Sequence, residues 1–293
     1  MRKSFYKLGL KNLGGGGSFR LRCPKRVTER DRYPLLQPHQ LTAKYCVSPK
    51  TEKAISRFLV AHATGTGKTL TMIQILDNFY DDPRPKVVMV KDAEQRKNFI
   101  QDLCKHRNRY RDFLDSELSE QHVDDVGKQS KSVSEVGETL GRKQWAGKIV
   151  SPTPLRVLTY RKAGGRSANG DAFLNKRKGD DGVYRKGDAI NFHDKIVLFD
   201  EAHNLLDSTI ETLTETTQMS AGNLQRVKEL IKEAENSVIT LFTATPVVKP
   251  NDLVQLREIL TSGQRNKVFE GYVSYYIAKP FPEFPKTLEA ETR

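Results

Sequence analysis

From Pro34 onward, short, largely apolar runs alternate with stretches in which apolar residues return every three or four positions. The solid runs are Phe58 to Ala61, Val87 to Val90, Arg156 to Thr159, Ile196 to Phe199 and Val238 to Phe242. The periodic stretches include Leu70, Ile73, Leu76 and Tyr80, then Val227, Leu230, Ile231 and Ala234, then Leu253, Leu256 and Leu260. A strand apolar at every position must be covered on both faces, and a three-and-four spacing puts one face of a helix against a core. The pattern predicts an α/β fold, a parallel sheet with helices on both faces.

Two stretches break the rhythm and read as surface insertions. Residues 115–148 are polar and mix charges; residues 163–190 combine glycines with Arg166, Lys176, Arg177, Lys178, Arg185 and Lys186. The second is either a solvated loop or a nucleic-acid contact in which Phe173 and Tyr184 stack on bases. The run Gly14 to Gly17 is a flexible break, so a separate arm occupies residues 1–33 and the folded part begins near Pro34.

Composition narrows the function classes. The 293 residues are 37% hydrophobic and 29% charged, with a mean hydropathy of −0.60, and no stretch has the apolar length of a bilayer-spanning helix. The three cysteines, Cys23, Cys46 and Cys104, lack the pairing of a disulfide framework or a zinc knuckle, so free thiols in an intracellular, reducing setting are expected rather than secretion. Of the net charge of +13, the first 40 residues carry +8. Three readings of that arm stand side by side: a phosphate-backbone contact that releases counterions, a solvated disordered leader, or an organellar transit peptide.

The strongest chemical signal is His62-Ala63-Thr64-Gly65-Thr66-Gly67-Lys68-Thr69, set where the first predicted strand ends and its helix begins. Glycines let such a loop curl its amides inward at a positive helix terminus, which is what a phosphate chain requires. Lys68 then reaches the β and γ phosphates of ATP and the Thr69 hydroxyl sits on Mg²⁺. The strict pattern has glycine where this chain has His62. A second signal is the apolar run Ile196 to Phe199 ending in Asp200-Glu201-Ala202-His203. Its position puts Asp200 at the sheet edge that also bears the phosphate loop, ready to hold Mg²⁺, with Glu201 available to polarise the attacking water.

Taken in order, Thr64-Gly65-Thr66-Gly67-Lys68-Thr69, Asp200-Glu201-Ala202-His203 and Thr243-Ala244-Thr245 resemble motifs I, II and III of superfamily 2 helicases of the DEAH-box type. The look is nearest to the helicase-like ATPases of large nucleocytoplasmic DNA viruses. The resemblance implies a P-loop NTPase, RecA-like lobe over residues 34–270. It implies Thr64 through Thr69 as the nucleotide-binding segment, catalytic roles for Lys68, Asp200, Glu201 and His203, and coupling roles for Thr243 and Thr245. It makes Gln40, in Leu36-Gln37-Pro38-His39-Gln40, the match to the family's adenine-recognising glutamine. Val87 to Lys91 and Val157 to Tyr160 occupy the places of its single-strand contacts, motifs Ia and Ib.

Such enzymes close ATP between two lobes, the second of which supplies arginines from a Gln-x-x-Gly-Arg-x-x-Arg string, and no such string occurs here. Residues 271–293 resemble the start of a connection into that lobe. The expectation is therefore an ATP-binding lobe that moves on DNA or RNA once a second lobe joins it in cis or in trans. The alternative is an idle nucleic-acid-binding or partner-docking lobe. The nucleus or a viral replication site is the expected location, with no membrane partner.

Overall fold

The computed structural model describes residues 36–52, 54–118, 130–142, 154–160, 174, 176–186, 190–206, 221–247, 249–261 and 272–276. The arm 1–33 and Phe173 lie outside them. Helix α1 (Pro38–Cys46) leads to β1 (Arg57–His62), α2 (Lys68–Asn78) and β2 (Lys86–Val90). Helices α3 (Ala93–Lys105), α4 (Arg109–Glu117) and α5 (Ser130–Arg142) precede β3 (Leu155–Thr159). A hairpin, β4 (Lys176–Lys178) and β5 (Tyr184–Lys186), forms its own small antiparallel sheet. The chain then runs through β6 (Ile196–Phe199), a 3-10 turn (Ala202–Leu205), α6 (Ala221–Glu233), β7 (Val238–Thr243), α7 (Pro250–Thr261) and β8 (Val273–Tyr276).

Among the described residues the main sheet has six strands in the order β3-β2-β6-β7-β1-β8, and every pairing in it is parallel. Alternation of side chains feeds two cores, one on each face. Phe58, Val60, Val88, Val90, Ile196 and Leu198 point into the core built with α1 to α5. Leu59, Ala61, Val87, Met89, Val197 and Phe199 point into the core built with α6 and α7. This double burial is why the central strands read as solid apolar runs, and all five predicted strands are present. Among the described residues no helix is long and apolar enough to cross a membrane.

Three readings change. Residues 115–148 are not simply a surface insertion, because α5 lies within them and buries Val133, Val136 and Leu140 against the first core. The sheet also runs past residue 270: Val273–Tyr276, read as the start of a connection, pairs with β1 as a sixth strand. Finally, Val87 to Val90, Val157, Leu158 and Tyr160, read as places of single-strand contacts, are buried, while Lys91 and Thr159 at the strand ends are half-buried.

Candidate functional site

Because the six strands are parallel, the segments after β1, β6 and β7 emerge at one edge. That edge gathers the phosphate-loop string, the acidic pair and the Thr-Ala-Thr string. The loop leaves β1 at His62 and enters α2 through Gly67, with Gly65 and Gly67 at φ 76° and 77°. Only glycine takes this left-handed backbone without strain. A Cβ on Gly65 would meet no atom within 4 Å, so open space borders the loop there. A Cβ on Gly67 would sit 2.5 Å from Gln40 Nε2. Helix α2 has no side-chain cap and no acid in its first turn, so its positive end is answered by nothing of its own.

Lys68 is half-buried, and its Nζ donates to the carbonyls of His62 (3.3 Å) and Ala63 (3.4 Å). Thr66 Oγ1 donates to the Ala63 carbonyl at 2.7 Å, tightening the same bend. Thr64 is exposed at the loop's outer turn and Thr69 half-buried at the helix start. His62 has an ordinary strand backbone, as the last residue of β1, so this position needs no glycine.

At the end of β6 the backbone of Asp200 donates to the Met89 carbonyl (2.8 Å), and its carboxylate accepts the Glu201 N–H at 3.0 Å. Glu201 itself is left-handed, at φ 48°. A non-glycine residue in that region costs about 1–3 kcal/mol and is common where side chains must be aimed. Burial, and next the Glu201 charge, push the Asp200 carboxyl up to about 6. Glu201 is held below the usual range, first by its hydrogen bond from His203. The charge of Lys68 favours ionisation of both acids.

His203 joins the acidic pair to the next strand. Its Nδ1 lies 3.3 Å from Glu201 Oε2 and 3.1 Å from Thr243 Oγ1. Thr243 Oγ1 also accepts the N–H of Thr245, whose side chain is exposed. The strings at the ends of β6 and β7 are thus one hydrogen-bonded unit.

The donor set fits a magnesium nucleotide. Two carboxylates crowd one edge strongly enough that burial drives one toward neutrality, and a divalent cation removes that penalty. Beside them stand a lysine, a hydroxyl and a glycine loop with open space, the groups a phosphate chain requires.

Gln40 takes a position that the sequence does not foretell. It is 3% exposed, its Nε2 donates to the carbonyls of Thr66 (3.2 Å) and Gly67 (3.1 Å), and its Oε1 accepts the Gln37 N–H at 2.8 Å. The amide expected to read adenine is engaged with the phosphate loop. Tyr160 was also missed as part of this edge: fully buried, it donates its hydroxyl to the Asp200 carbonyl at 2.6 Å. The sequence placed it in the single-strand string Val157 to Tyr160, and nothing in that string pointed to Asp200. His39, on the Thr66 carbonyl at 3.0 Å, carried none.

Residues 34–248 match the family described as type III restriction enzyme, res subunit. A relative from Acanthamoeba polyphaga mimivirus, named "Putative ATP-dependent RNA helicase", is 24% identical over 253 residues, which cover 84% of this chain and 36% of that protein. The chain therefore spans about a third of that relative's length. The Hef helicase domain of Pyrococcus furiosus aligns at 15% identity and a TM-score of 0.46, over 83% of this chain and 38% of that one. The SWI2/SNF2 ATPase core of Sulfolobus solfataricus, solved with dsDNA, aligns at 16% identity and 0.43, over 84% and 38%. With most of its length matched, the chain belongs to the type III restriction enzyme res-subunit family.

Proposed function

We propose that this chain is the ATP-binding lobe of a nucleic-acid translocase, which hydrolyses ATP when a second RecA-like lobe closes on it in cis or in trans. One observation carries the reading: at a single sheet edge, the charge of Lys68 bears on both Asp200 and Glu201, and Glu201 is tied through His203 to Thr243.

In this reading the loop amides from Gly65 to Thr69 and the Lys68 ammonium hold the phosphates. Thr69 and Asp200 hold Mg²⁺, which supplies charge neutralisation on the phosphate oxygens. Glu201 accepts the proton of the water that attacks the γ-phosphate. The Glu201–His203–Thr243 connection passes the state of that site to the end of β7 and so to bound strands. The lobe is residues 34–270 extended by β8, with the remaining C-terminal residues leading towards the second lobe.

For the nucleic-acid partner, the β4–β5 hairpin is supporting evidence. Its register sets Lys176 opposite Lys186 and Arg177 opposite Arg185. A short hairpin that brings four basic residues together in its register is a composition suited to a polyanion. The basic arm 1–33 is a second candidate contact for that partner on its charge alone, and the working location is the nucleus or a viral replication site.

The test is calorimetric titration of ATP with Mg²⁺ into wild type and Lys68→Ala. Loss of a charge-assisted contact is expected to weaken binding by about 2 kcal/mol or more, with the melting curve unchanged. Equal affinity in the two proteins would remove the assignment. Steady-state hydrolysis with and without single strands, run beside it, separates an active lobe from an idle one.

A further inference from the structure

Where the phosphate-loop pattern has glycine, this chain buries an imidazole, and a second imidazole stands beside it. His62 is 0% exposed and its Nε2 lies 2.9 Å from Ser274 Oγ on β8. Its Nδ1 is buried and has no hydrogen-bond partner among the described residues. His39, on α1, is set edge-on to His62 with ring centres 4.9 Å apart, and stacks on Tyr276 at 3.9 Å with the rings 10° from parallel. His39 Nε2 is 3.0 Å from the Thr66 carbonyl. A carbonyl only accepts, so this nitrogen carries the proton and donates to the loop. Tyr276 reaches the loop a second way, because its carbonyl accepts the Ala63 N–H at 3.0 Å and extends the β1–β8 ladder by one step.

The loop is therefore gripped by two elements from opposite ends of the described chain. One is α1, through His39 and Gln40; the other is β8, through the Tyr276 backbone. The stacked His39 and Tyr276 rings connect the two grips. A peptide carbonyl held at Thr66 fixes the plane of the next amide, because the peptide unit is planar. Moving that carbonyl turns the Gly67 N–H, which belongs to the anion-binding curl.

We propose that His39 and Tyr276 are positioning residues of the nucleotide site, and that their stacked pair makes the affinity of the phosphate loop depend on the seating of β8 beside β1. They touch no phosphate themselves. This inference rests on the nucleotide-binding reading above.

The experiment uses the full 293-residue chain. ADP and ATP, each with Mg²⁺, are titrated into wild type, His39→Leu, Tyr276→Leu, the double variant and Tyr276→Phe, with thermal melts alongside. Each leucine variant is expected to weaken both nucleotides about five- to tenfold, the worth of one lost loop contact. The double variant should fall no further than about tenfold, since either change breaks the same unit. Tyr276→Phe keeps the stack and should bind within about twofold of wild type. Any hydrolysis should show the loss in KM, with kcat at saturation held. Failure of wild type itself to bind either nucleotide would overturn the nucleotide-binding reading. Binding by wild type with equal affinity in His39→Leu and Tyr276→Leu, or a Phe variant as weak as Leu, would overturn the positioning role. His39 is a half-buried position on α1, so His39→Leu decides the matter alone if Tyr276→Leu has no melting transition.

Discussion

At one edge of the main sheet stand a glycine loop, a half-buried lysine and two carboxylates; at the other, three cations are buried in the protein's own carbonyls. Arg57, at the start of β1 and 7% exposed, donates to the carbonyls of Ile259 (2.9 Å) and Ala234 (3.0 Å), at the ends of α7 and α6. Lys86, at the start of β2, donates to the Asp82 carbonyl at 2.6 Å, just past the end of α2. Lys195, immediately before β6, donates to the His193 carbonyl at 3.0 Å. Burial drives Lys86 down to about 7 and lowers Arg57.

Helices that run antiparallel to parallel strands collect their negative ends at the strands' amino edge and their positive ends at the carboxyl edge. The same alignment of dipoles is used twice. At the amino edge the chain supplies the complementary charge from within, and the buried cations offset part of their desolvation by donating to those carbonyls. At the carboxyl edge the proposed complement is a phosphate and a metal ion, and without them the buried Asp200 carboxylate is a cost in stability.

Substitutions at the two edges should therefore move different observables. The largest effect is expected at the carboxyl edge: Glu201→Gln cannot accept a proton, so hydrolysis by the lobe completed with its second lobe should fall by about 10² to 10⁴ while nucleotide affinity and melting hold. Unchanged turnover would show that Glu201 is not the base. At the amino edge, Arg57→Met removes the donors to the Ile259, Lys232 and Ala234 carbonyls, of which the Ile259 contact is buried, and should cost about 2–4 kcal/mol of stability in a urea titration. Nucleotide affinity of the folded protein should stay the same; a variant that lost affinity but not stability would break the division between the edges.

Asp200 sharpens the comparison because it predicts a gain. Its folded pKa of about 6 lies above the ordinary 3.8, so the folded state binds the proton more tightly than the unfolded one. The stabilising contribution is complete below the ordinary value and is lost as pH rises through about 6. Without Mg²⁺ at pH 8, Asp200→Asn should raise stability by on the order of 2 kcal/mol, while Mg²⁺-dependent nucleotide binding is impaired. In wild type, that binding should weaken as pH falls below about 6, when Asp200 takes up its proton. A melt showing Asp200→Asn less stable than wild type at pH 8 would contradict the cost assigned to this edge. The smallest effect is expected for Thr243→Val, which removes the His203 contact. Nucleotide should bind as in wild type, and turnover should fall by the worth of one hydrogen bond, about 1 kcal/mol, in a steady-state assay.

How much of this was legible in the sequence depends on the range of the interactions involved. The strand Ile196–Phe199 announces itself because both its faces are buried, so four consecutive apolar residues suffice. Helix α5 does not. Val133, Val136 and Leu140 are correctly spaced, but Gly137 and Gly141 weaken the local preference for helix. Both glycines lie against residues distant in the chain: a Cβ at Gly141 would lie 2.6 Å from the Arg156 guanidinium, and one at Gly137 3.0 Å from Arg96. Strand β8 was equally hard to read, because an edge strand with Tyr275 66% exposed lacks the solid apolar run of its neighbours.

By itself the sequence determined the parallel α/β layering, the phosphate-loop string after β1 and the acidic string after β6, since each is written in adjacent residues or in one helical or strand period. Only the tertiary structure decided that Gln40 and His39 grip the loop, that Tyr160 supports Asp200, that His203 meets Thr243, and that Arg57 closes the ends of two helices. Those contacts join residues distant in the chain, and their geometry exists only after the sheet has closed its strand order. Periodicity and propensity are sums over near neighbours and carry no information about it.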